Sequence, residues 1–316
     1  MNSNKGRIVS FLPSSTEILY EIGGEDLITG VTHECNYPQI ATSKPRVIKS
    51  SFDAAGMTSK EIDDKITNLM RAGQDIYIID DQKLKESKPD LIIAQGVCEV
   101  CAPFTREIER ANSILGYRPD VLVLDPHDID DIMTSIIEIA KRIGRLEKGQ
   151  KLVGSLQKRI DNIKKIAQAR TTMDRPRPRI VCIEWIDPFF IAGHWVPQMV
   201  DIAGGINGLN APRERSRRIS IKEIIEFNPD KIVLMPCGFD IDRTLKEFEV
   251  IEKNDKWRLL DAVKRNEVYV VNANAYFSKP GPRTITGLEI LAKIVDSENY
   301  KDIEVPPNSF TRVTIQ

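Results

Sequence analysis

The chain has 316 residues, of which 41% are hydrophobic and 29% charged, with a formal net charge of −1. This length suffices for one large or two medium domains. The near-neutral charge excludes the electrostatic footprint of a protein that binds nucleic acid or an anionic membrane. No apolar run approaches the roughly 18 residues of a membrane span. The five cysteines are an odd number, which favours reduced thiols over a disulfide framework.

The N-terminus lacks the apolar core and cleavage site of a signal peptide. A cytoplasmic location is therefore expected, or an extracytoplasmic one if a leader has been removed.

Strand-like and helix-like patterns alternate through the first half of the chain. A helix begins near Pro13 with Ser or Thr as the expected N-cap and ends at Gly23. Further helices are predicted over 58–72, 83–87, 104–115 and 129–143, and strands over 7–12, 27–31, 76–79, 91–94 and 121–124. Such alternation favours a mainly parallel sheet.

Residues 145–170 form the longest helical pattern, with an apolar face and a lysine-rich remainder, and Arg175–Pro178 reads as a linker. A second alternating series follows. Its strands are predicted over 179–183, 231–235 and 267–271, and its helices over 196–203, 221–227, 242–252 and 287–294.

The two series resemble each other in sequence. Arg7-Ile8-Val9 is echoed by Arg179-Ile180-Val181, and Pro89-Asp90 before a buried strand is echoed by Pro229-Asp230. Two echoes in the same order predict a duplication. The expected fold is α/β, with two Rossmann-like lobes joined by one long helix: an N-terminal lobe 1–144, a connecting helix and linker 145–174, and a C-terminal lobe 175–316.

Ligands of open α/β sheets bind beyond the carboxyl ends of the strands. The predicted strand ends of the first lobe carry mainly polar residues, and those of the second carry aromatic ones, which suit a large planar or chelated small molecule. The candidate ligand contacts taken from these positions are Pro13, Ser14, Gln95, Trp185, Phe190, His194, Trp195, Phe239, Tyr276 and Phe277.

Two thiols, Cys98 and Cys101, follow the predicted strand 91–94. Thiolates at this spacing can bind zinc or an iron–sulfur cluster, and the alternatives are a redox pair or inert buried thiols. The residues that could complete a metal set are Cys35, Cys237, His33 and His194. Cys182 lies inside a predicted strand and is expected in the core.

Other features leave alternatives open. The basic run Arg213–Arg218 is either a solvated loop or a clamp on an anionic ligand or partner. The glycines match neither nucleotide-binding fingerprint. An enzyme acting on a cofactor-sized substrate, with Glu34 or His194 as acid or base, is a third and weaker interpretation.

Over residues 7–296 the chain resembles the helical-backbone (class III) substrate-binding proteins of ABC importers, especially the cobalamin-binding members and a leaderless subgroup. The motifs that carry the resemblance are Arg7–Glu17, Thr32–Pro38, Lys88–Ile93, Asp187–Gly193, Gly204-Gly205 and Tyr276–Arg283. The resemblance implies two lobes with an interlobe cleft for a corrinoid, haem, siderophore or metal. It also implies ligand contacts from Tyr37, Trp185, Phe190, Tyr276 and Phe277.

The chain departs from the importer pattern at two positions. Importer-docking members carry a glutamate on each lobe, and the matching positions here are Gln82 and Lys222, which argues against docking on an ABC permease. The function expected is capture of cobalamin, another corrinoid or a similar chelate by a monomer without catalysis. The alternative is an intracellular zinc or iron–sulfur protein that uses the cysteines.

Overall fold

The computed structural model describes residues 6–96, 105–172 and 176–314. Contacts divide the chain into two compact units. The first unit comprises Met1–Gly56, Asp64–Pro126 and Asp130–Gly154, and the second comprises Met57–Asp63, His127–Ile129 and Ser155–Gln316. Two short segments from the first half of the chain therefore belong to the second unit. None of the described helices combines the length and apolarity that a membrane crossing requires.

The first unit contains a mixed sheet in the order β4-β3-β2-β1-β5-β6. Its pairs are parallel except for the antiparallel edge pair β3–β4. The strands are β1 (Ile8–Ser10), β2 (Ile28–Thr32), β3 (Arg46–Ser50), β4 (Tyr77–Ile79), β5 (Leu91–Gln95) and β6 (Asp120–Leu124). β1 and β5 are buried throughout, as expected for central strands covered on both faces.

Helices flank this sheet. They are α1 (Pro13–Glu21), α2 (Ser59–Arg71), α3 (Asp81–Ser87), α4 (Thr105–Leu115) and α5 (Ile129–Arg142), and short 3-10 turns lie at Glu25–Leu27 and Gln39–Ser43. The long helix α6 (Leu146–Thr172) begins in the first unit and continues into the second after Gly154.

The second unit contains a mixed sheet in the order β12-β11-β10-β7-β8-β9. The strands β7, β10 and β11 are parallel, and β8, β9 and β12 are added antiparallel. The strands are β7 (Ile180–Trp185), β8 (Phe190–Ile191), β9 (Arg217–Arg218), β10 (Lys231–Leu234), β11 (Val268–Val271) and β12 (Phe310–Val313).

The helices of the second unit are mostly short. They are α7 (Val196–Ile202), α8 (Ile221–Phe227), α9 (Ile241–Ile251), α10 (Asp255–Arg258), α11 (Asp261–Lys264), α12 (Ala273–Tyr276) and α13 (Thr284–Val295). The core beneath them is organised on Trp257, which stacks on Phe189 at 5.9 Å and meets Phe248 edge-on at 6.3 Å.

The two units begin with the same hydrogen-bond pattern. In the first, the Arg7 amide donates to the Asp90 carboxylate at 2.8 Å, and the Asp90 amide donates to the Arg7 carbonyl at 2.8 Å. In the second, Arg179 and Asp230 make the same two bonds at the same distances. The strands that follow pair in the same register, Ile8 with Leu91 and Ile180 with Lys231. The predicted fold class, with two α/β lobes, is confirmed, and the sequence echoes that suggested a duplication correspond to the same bonds and register in both units.

Several local predictions were wrong or incomplete. The N-cap of α1 is Leu12, not Ser or Thr, and Pro13 is the first helical residue. The hydroxyls instead form a buried network, in which Ser15 donates to the Leu12 carbonyl at 3.1 Å. The strands β3, β8, β9 and β12 were missed because their apolar patterns are weak: β8 and β9 have two residues each, β12 lies at an edge, and β3 has only Val47 and Ile48 between polar residues.

Candidate functional site

The carboxyl ends of β7, β10 and β11 meet at one edge of the second sheet because these strands are parallel and adjacent. Trp185 ends β7, Phe239 follows β10, and Tyr276 lies in α12 just after β11. The loops after β10 and β11 are tied together, since the Asn274 amide donates to the Phe239 carbonyl at 2.9 Å. We call this set of loops the aromatic edge.

Two aromatic rings and a cation pack at the centre of the aromatic edge. The Trp185 and Phe239 rings lie 5.4 Å apart at 59°, and the Arg243 guanidinium lies 3.9 Å from the centroid of the Phe239 ring. Phe239 is only 3% exposed, whereas Trp185 and Arg243 are half-buried. Phe239 therefore supports the surface that Trp185 and Arg243 form.

Residues 57–63 pack on the aromatic edge within the second unit. The Trp185 indole donates to the Ser59 carbonyl at 3.2 Å, and Arg243 donates to the Met57 carbonyl at 3.1 Å. The buried carboxylate of Glu247 accepts from the Ser59 amide at 3.1 Å and from its hydroxyl at 2.6 Å. A carboxylate in this place satisfies donors at the start of α2 and complements the helix dipole.

Three arginines of the basic run, Arg213, Arg217 and Arg218, pair with acidic side chains although all three are exposed. Arg218 donates to Asp63 at 2.8 Å and lies 5.5 Å above the Phe190 ring. Arg213 pairs with Asp128, which directly precedes α5. Arg217 donates to Glu223 at 2.9 Å.

His194 has a left-handed backbone, with φ of 54°. Its amide donates to the Glu214 carbonyl at 2.6 Å, and its ring lies 5.9 Å from His127 and 5.6 Å from Trp195. The Trp195 indole donates to the Phe277 carbonyl at 3.0 Å. The half-buried His194 ring therefore lies beside the rings of buried Trp195 and half-buried His127.

The loop after β11 carries two cations. Lys279 donates to the Asn274 side chain at 2.7 Å, and the Arg283 guanidinium lies 5.9 Å from the centroid of the Tyr276 ring. A Cβ at Gly287 would lie 2.4 Å from the Tyr276 carbonyl oxygen, so only glycine lets α13 approach this loop.

In the first unit, Cys35 belongs to a buried network of hydroxyls. Its sulfur lies 3.1 Å from the Thr16 hydroxyl and 3.4 Å from that of Thr32, and Thr16 in turn donates to Ser10 at 2.8 Å. Burial raises the pKa of the Cys35 thiol, against the opposing effect of these hydrogen bonds. The thiol is therefore the favoured form, and its surroundings are those of a core cysteine.

The remaining first-unit candidates lie near the ends of β1, β2 and β5. Ser14 and Gln95 are buried, at 1% and 8% exposure, and Tyr37 is 40% exposed. Pro13 is half-buried at the start of α1. His33 lies 3.7 Å from the Glu34 carboxylate and its ring is 6.0 Å from that of Tyr77.

The cysteines do not form a metal centre in the described part of the chain, where no group of three or more His, Cys, Asp or Glu side chains could hold an ion. Cys98 and Cys101 lie outside the described residues. Cys35 belongs to the first unit and Cys237 to the second. Cys182 is buried in β7, as expected, and burial raises the pKa of its thiol strongly.

The two positions of the expected docking acids are equivalent in structure. Gln82 and Lys222 are each the second residue of their helix, α3 and α8, and both are exposed. The neighbouring Glu223 is committed to a capping box with Ser220.

Sequence reasoning missed Met57, Ser59, Arg243 and Glu247. One available signal was Thr58 followed by Glu61, a capping-box pattern that the structure realises, with the Thr58 hydroxyl 2.9 Å from the Glu61 carboxylate. It marks the start of α2 but gives no hint of the partner Glu247, 188 residues away from Ser59.

The chain consists of two α/β units, and the strand-end loops of the second present aromatic and cationic side chains. The sequence pattern of the family described as "Periplasmic binding protein" matches residues 8–275, and the chain belongs to this family.

Similar proteins cover nearly the whole chain. An uncharacterized ABC transporter substrate-binding lipoprotein, YvrC of Bacillus subtilis, is 25% identical over 94% of this chain and 82% of its own length. The vitamin B12-binding protein of Vibrio cholerae is 23% identical over 90% of this chain and 86% of its own. The crystal structure of a periplasmic heme-binding protein from Pseudomonas aeruginosa matches with a TM-score of 0.72 and 16% identity, covering 98% of this chain and 99% of that one.

Family membership settles two expectations. The chain is a binding protein and not an enzyme, as predicted. The cytoplasmic location was wrong: the family is one of periplasmic binding proteins, and its relatives include a lipoprotein, which points to a place outside the cytoplasm. The prediction was wrong because an N-terminal sequence without a signal-peptide pattern does not determine where a protein is located.

Proposed function

We propose that the chain captures a large planar metal chelate, a corrinoid such as cobalamin or a heme, at the aromatic edge of the second unit. The observation that carries the proposal is the cluster of Trp185, Phe239 and Arg243, in which a half-buried indole packs on a buried phenyl ring and a guanidinium lies over that ring. Similarity to a vitamin B12-binding protein and to a heme-binding structure supports this ligand class.

The proposed ligand contacts differ in role. The half-buried side chains of Trp185, Phe190, His194 and Tyr276 are the proposed direct contacts. The buried Phe239, Trp195 and Phe277 are proposed to support them, since each is 6% exposed or less. On the first unit, Tyr37 and Pro13 remain proposed contacts, and the buried Ser14 and Gln95 are proposed to support them. Aromatic side chains bury a large area at low entropic cost, which suits capture without bond chemistry.

Titration with cyanocobalamin and, separately, with hemin tests the proposal, read by the absorbance of the chelate and by calorimetry. One of the two should bind with a Kd in about the micromolar range or below. Trp185→Ala should weaken that binding by about tenfold or more, because a central aromatic anchor is lost. Tyr117→Ala, at an exposed aromatic of the first unit outside the proposed contacts, should not. Absence of binding by both chelates contradicts the proposal.

Delivery to a permease is not part of this proposal. Gln82 and Lys222 offer no carboxylate at the positions where the resemblance implies one. Docking through acids at those two positions is therefore unavailable to this chain, and we infer that capture is the step its residues support. The expected monomeric state also stays a prediction.

A further inference from the structure

Residues 57–63 are held on the aromatic edge by side chains that also pack on its rings. Trp185, which packs on Phe239, donates its indole N–H to the Ser59 carbonyl at 3.2 Å. Arg243, whose guanidinium lies over the Phe239 ring, donates to a carbonyl of the same segment at 3.1 Å. The attachment of this segment and the arrangement of the proposed ligand surface therefore depend on the same side chains.

Glu247 is bonded to this segment at the residue whose carbonyl receives the indole. Its carboxylate accepts from the Ser59 amide through both oxygens at 3.1 Å, and from the Ser59 hydroxyl at 2.6 Å. Ser59 is fully buried and Glu247 is 7% exposed, so water competes little for these charge-assisted bonds. The carboxylate thus fixes the backbone of Ser59, and with it the acceptor of the Trp185 indole.

The helix α9 carries both side chains that hold the segment. Arg243 and Glu247 lie four residues apart and therefore on one face of the helix. The helix begins at the Asp240 cap, whose carboxylate accepts from the Arg243 amide at 2.9 Å. Phe239 directly precedes this cap. A single element therefore sets the positions of residues 57–63 and of the ring on which Trp185 packs.

The indole of Trp185 has one polar group, and the partner of that group influences how the ring lies. Because the ring is half-buried, its N–H gains from a protein acceptor, which here is the Ser59 carbonyl. This bond restricts the rotamers that the ring can adopt. A contact residue that is ordered before the ligand arrives loses less entropy on binding, so its affinity for the ligand is higher.

We propose, on the basis of the proposed function, that Glu247 and Ser59 are positioning residues for the ligand. The buried carboxylate fixes Ser59, the Ser59 carbonyl orients the Trp185 indole, and the oriented indole packs on the planar chelate. The two residues act on affinity through Trp185 and not by contact with the chelate.

The variant Glu247→Gln tests this role because it keeps the shape of the side chain and one acceptor oxygen but removes the charge. We expect it to weaken the binding of cyanocobalamin or hemin, whichever the wild-type protein binds, by about threefold to tenfold in an absorbance titration. The control Glu249→Gln removes the same charge from an exposed position of the same helix and should change the affinity by less than about twofold. Ser59→Ala removes only the hydroxyl bond, so it is a milder second variant and should weaken binding in the same direction.

Tryptophan fluorescence reports on the position of the indole without any ligand. The chain has three tryptophans, of which Trp195 and Trp257 are 6% and 0% exposed, so quenching by acrylamide reports mainly on the half-buried Trp185. Glu247→Gln should increase the quenching, and Glu249→Gln should not. A general loss of stability would leave the quenching of protein that remains folded unchanged.

A double-mutant cycle tests whether the effect passes through the indole N–H. Trp185→Phe keeps an aromatic ring but removes the donor to Ser59, and it should itself weaken binding. In this background Glu247→Gln should cause at most about a twofold further loss of affinity, since its route to the ring is already broken.

The outcomes separate the two proposals. If the wild-type protein binds neither chelate, the proposed function fails and this inference with it. If one chelate binds, the inference alone fails in any of three cases: Glu247→Gln binds that chelate as tightly as the wild-type protein, it leaves the quenching unchanged, or it weakens binding equally in the Trp185→Phe background.

Discussion

The Ser59 hydroxyl donates to the Glu247 carboxylate at 2.6 Å, although the two residues are 188 positions apart in sequence. Glu247 is 7% exposed and also accepts from the Ser59 amide. A buried carboxylate on α9 thus satisfies the start of α2 and fixes residues 57–63 beside Trp185.

Replacement of Glu247 by Ala should destabilise the protein by about 2–4 kcal/mol, since it removes charge-assisted bonds and leaves buried donors on Ser59 unsatisfied. Urea unfolding measures this change in the free energy of unfolding. Glu249→Ala, at an exposed position of the same helix, is the control and should cost less than about 0.5 kcal/mol. Equal losses for the two variants would show that the Ser59 contact contributes nothing.

Gly193→Ala should be strongly destabilising, by about 3 kcal/mol or more, because a Cβ there would lie 2.3 Å from the Ser216 amide nitrogen and backbone cannot yield cheaply. The matched change Gly154→Ala adds a Cβ that meets nothing within 4 Å on α6. It should stabilise the protein by about 0.5–1 kcal/mol through helix propensity. Thermal unfolding checks both predictions: the Tm should fall for Gly193→Ala and rise for Gly154→Ala.

Glu223 should contribute to the loss of folding stability at acid pH. Its bonds to the Ser220 amide, to Arg217 and to the Ser220 hydroxyl lower its pKa to about 2, from an ordinary 4.5. Because the folded pKa lies below the unfolded one, the stabilisation is present above pH 4.5 and is lost as the pH falls towards 2.

Glu223→Gln should therefore flatten the fall of the unfolding free energy across this acid window, while costing stability at neutral pH. Glu226→Gln, on the same helix but outside the capping box, is the comparison. A variant of Glu223 with the same acid slope as the wild-type protein would rule out the capping box as its source.

Thiol labelling should discriminate among the described cysteines. Burial raises the pKa of the Cys35 and Cys182 thiols, and thiols kept protonated and covered react slowly. Cys237 is half-buried, so iodoacetamide at neutral pH should modify it first. Peptide mass spectrometry resolves each site, and labelling of Cys35 as fast as Cys237 would contradict its core placement.

The repeated start of the two units was visible in the sequence because it is local. Arg7-Ile8-Val9 and Pro89-Asp90 fix one strand pair, and the same letters recur at Arg179 and Asp230. The backbone bonds that they make are the same in both units. Short motifs of this kind carry their structure in neighbouring residues, so they can be read without the fold.

The candidate site was less predictable. Trp185 and Tyr276 could be placed at the sheet edge from sequence because they lie at or just after strand ends, whatever the rest of the chain does. The role of residues 57–63 could not be predicted from sequence, because it depends on contacts with Arg243 and Glu247, which are far away along the chain. Cys35 appeared as a metal candidate because sequence does not report that Thr16 and Thr32 surround it.

The antiparallel strand β12 is an edge strand of the second sheet and covers β11, with which its residues Phe310 to Val313 pair. Arg312 on β12 stabilises this pairing, since its guanidinium donates a hydrogen bond of 2.6 Å to the Glu267 carboxylate. If these four residues were cut away, the backbone groups of β11 would be exposed as a template for strands of other molecules. Shortened forms of the protein that end before residue 310 should therefore form aggregates. The strand β12 thus contributes to solubility as well as to the fold.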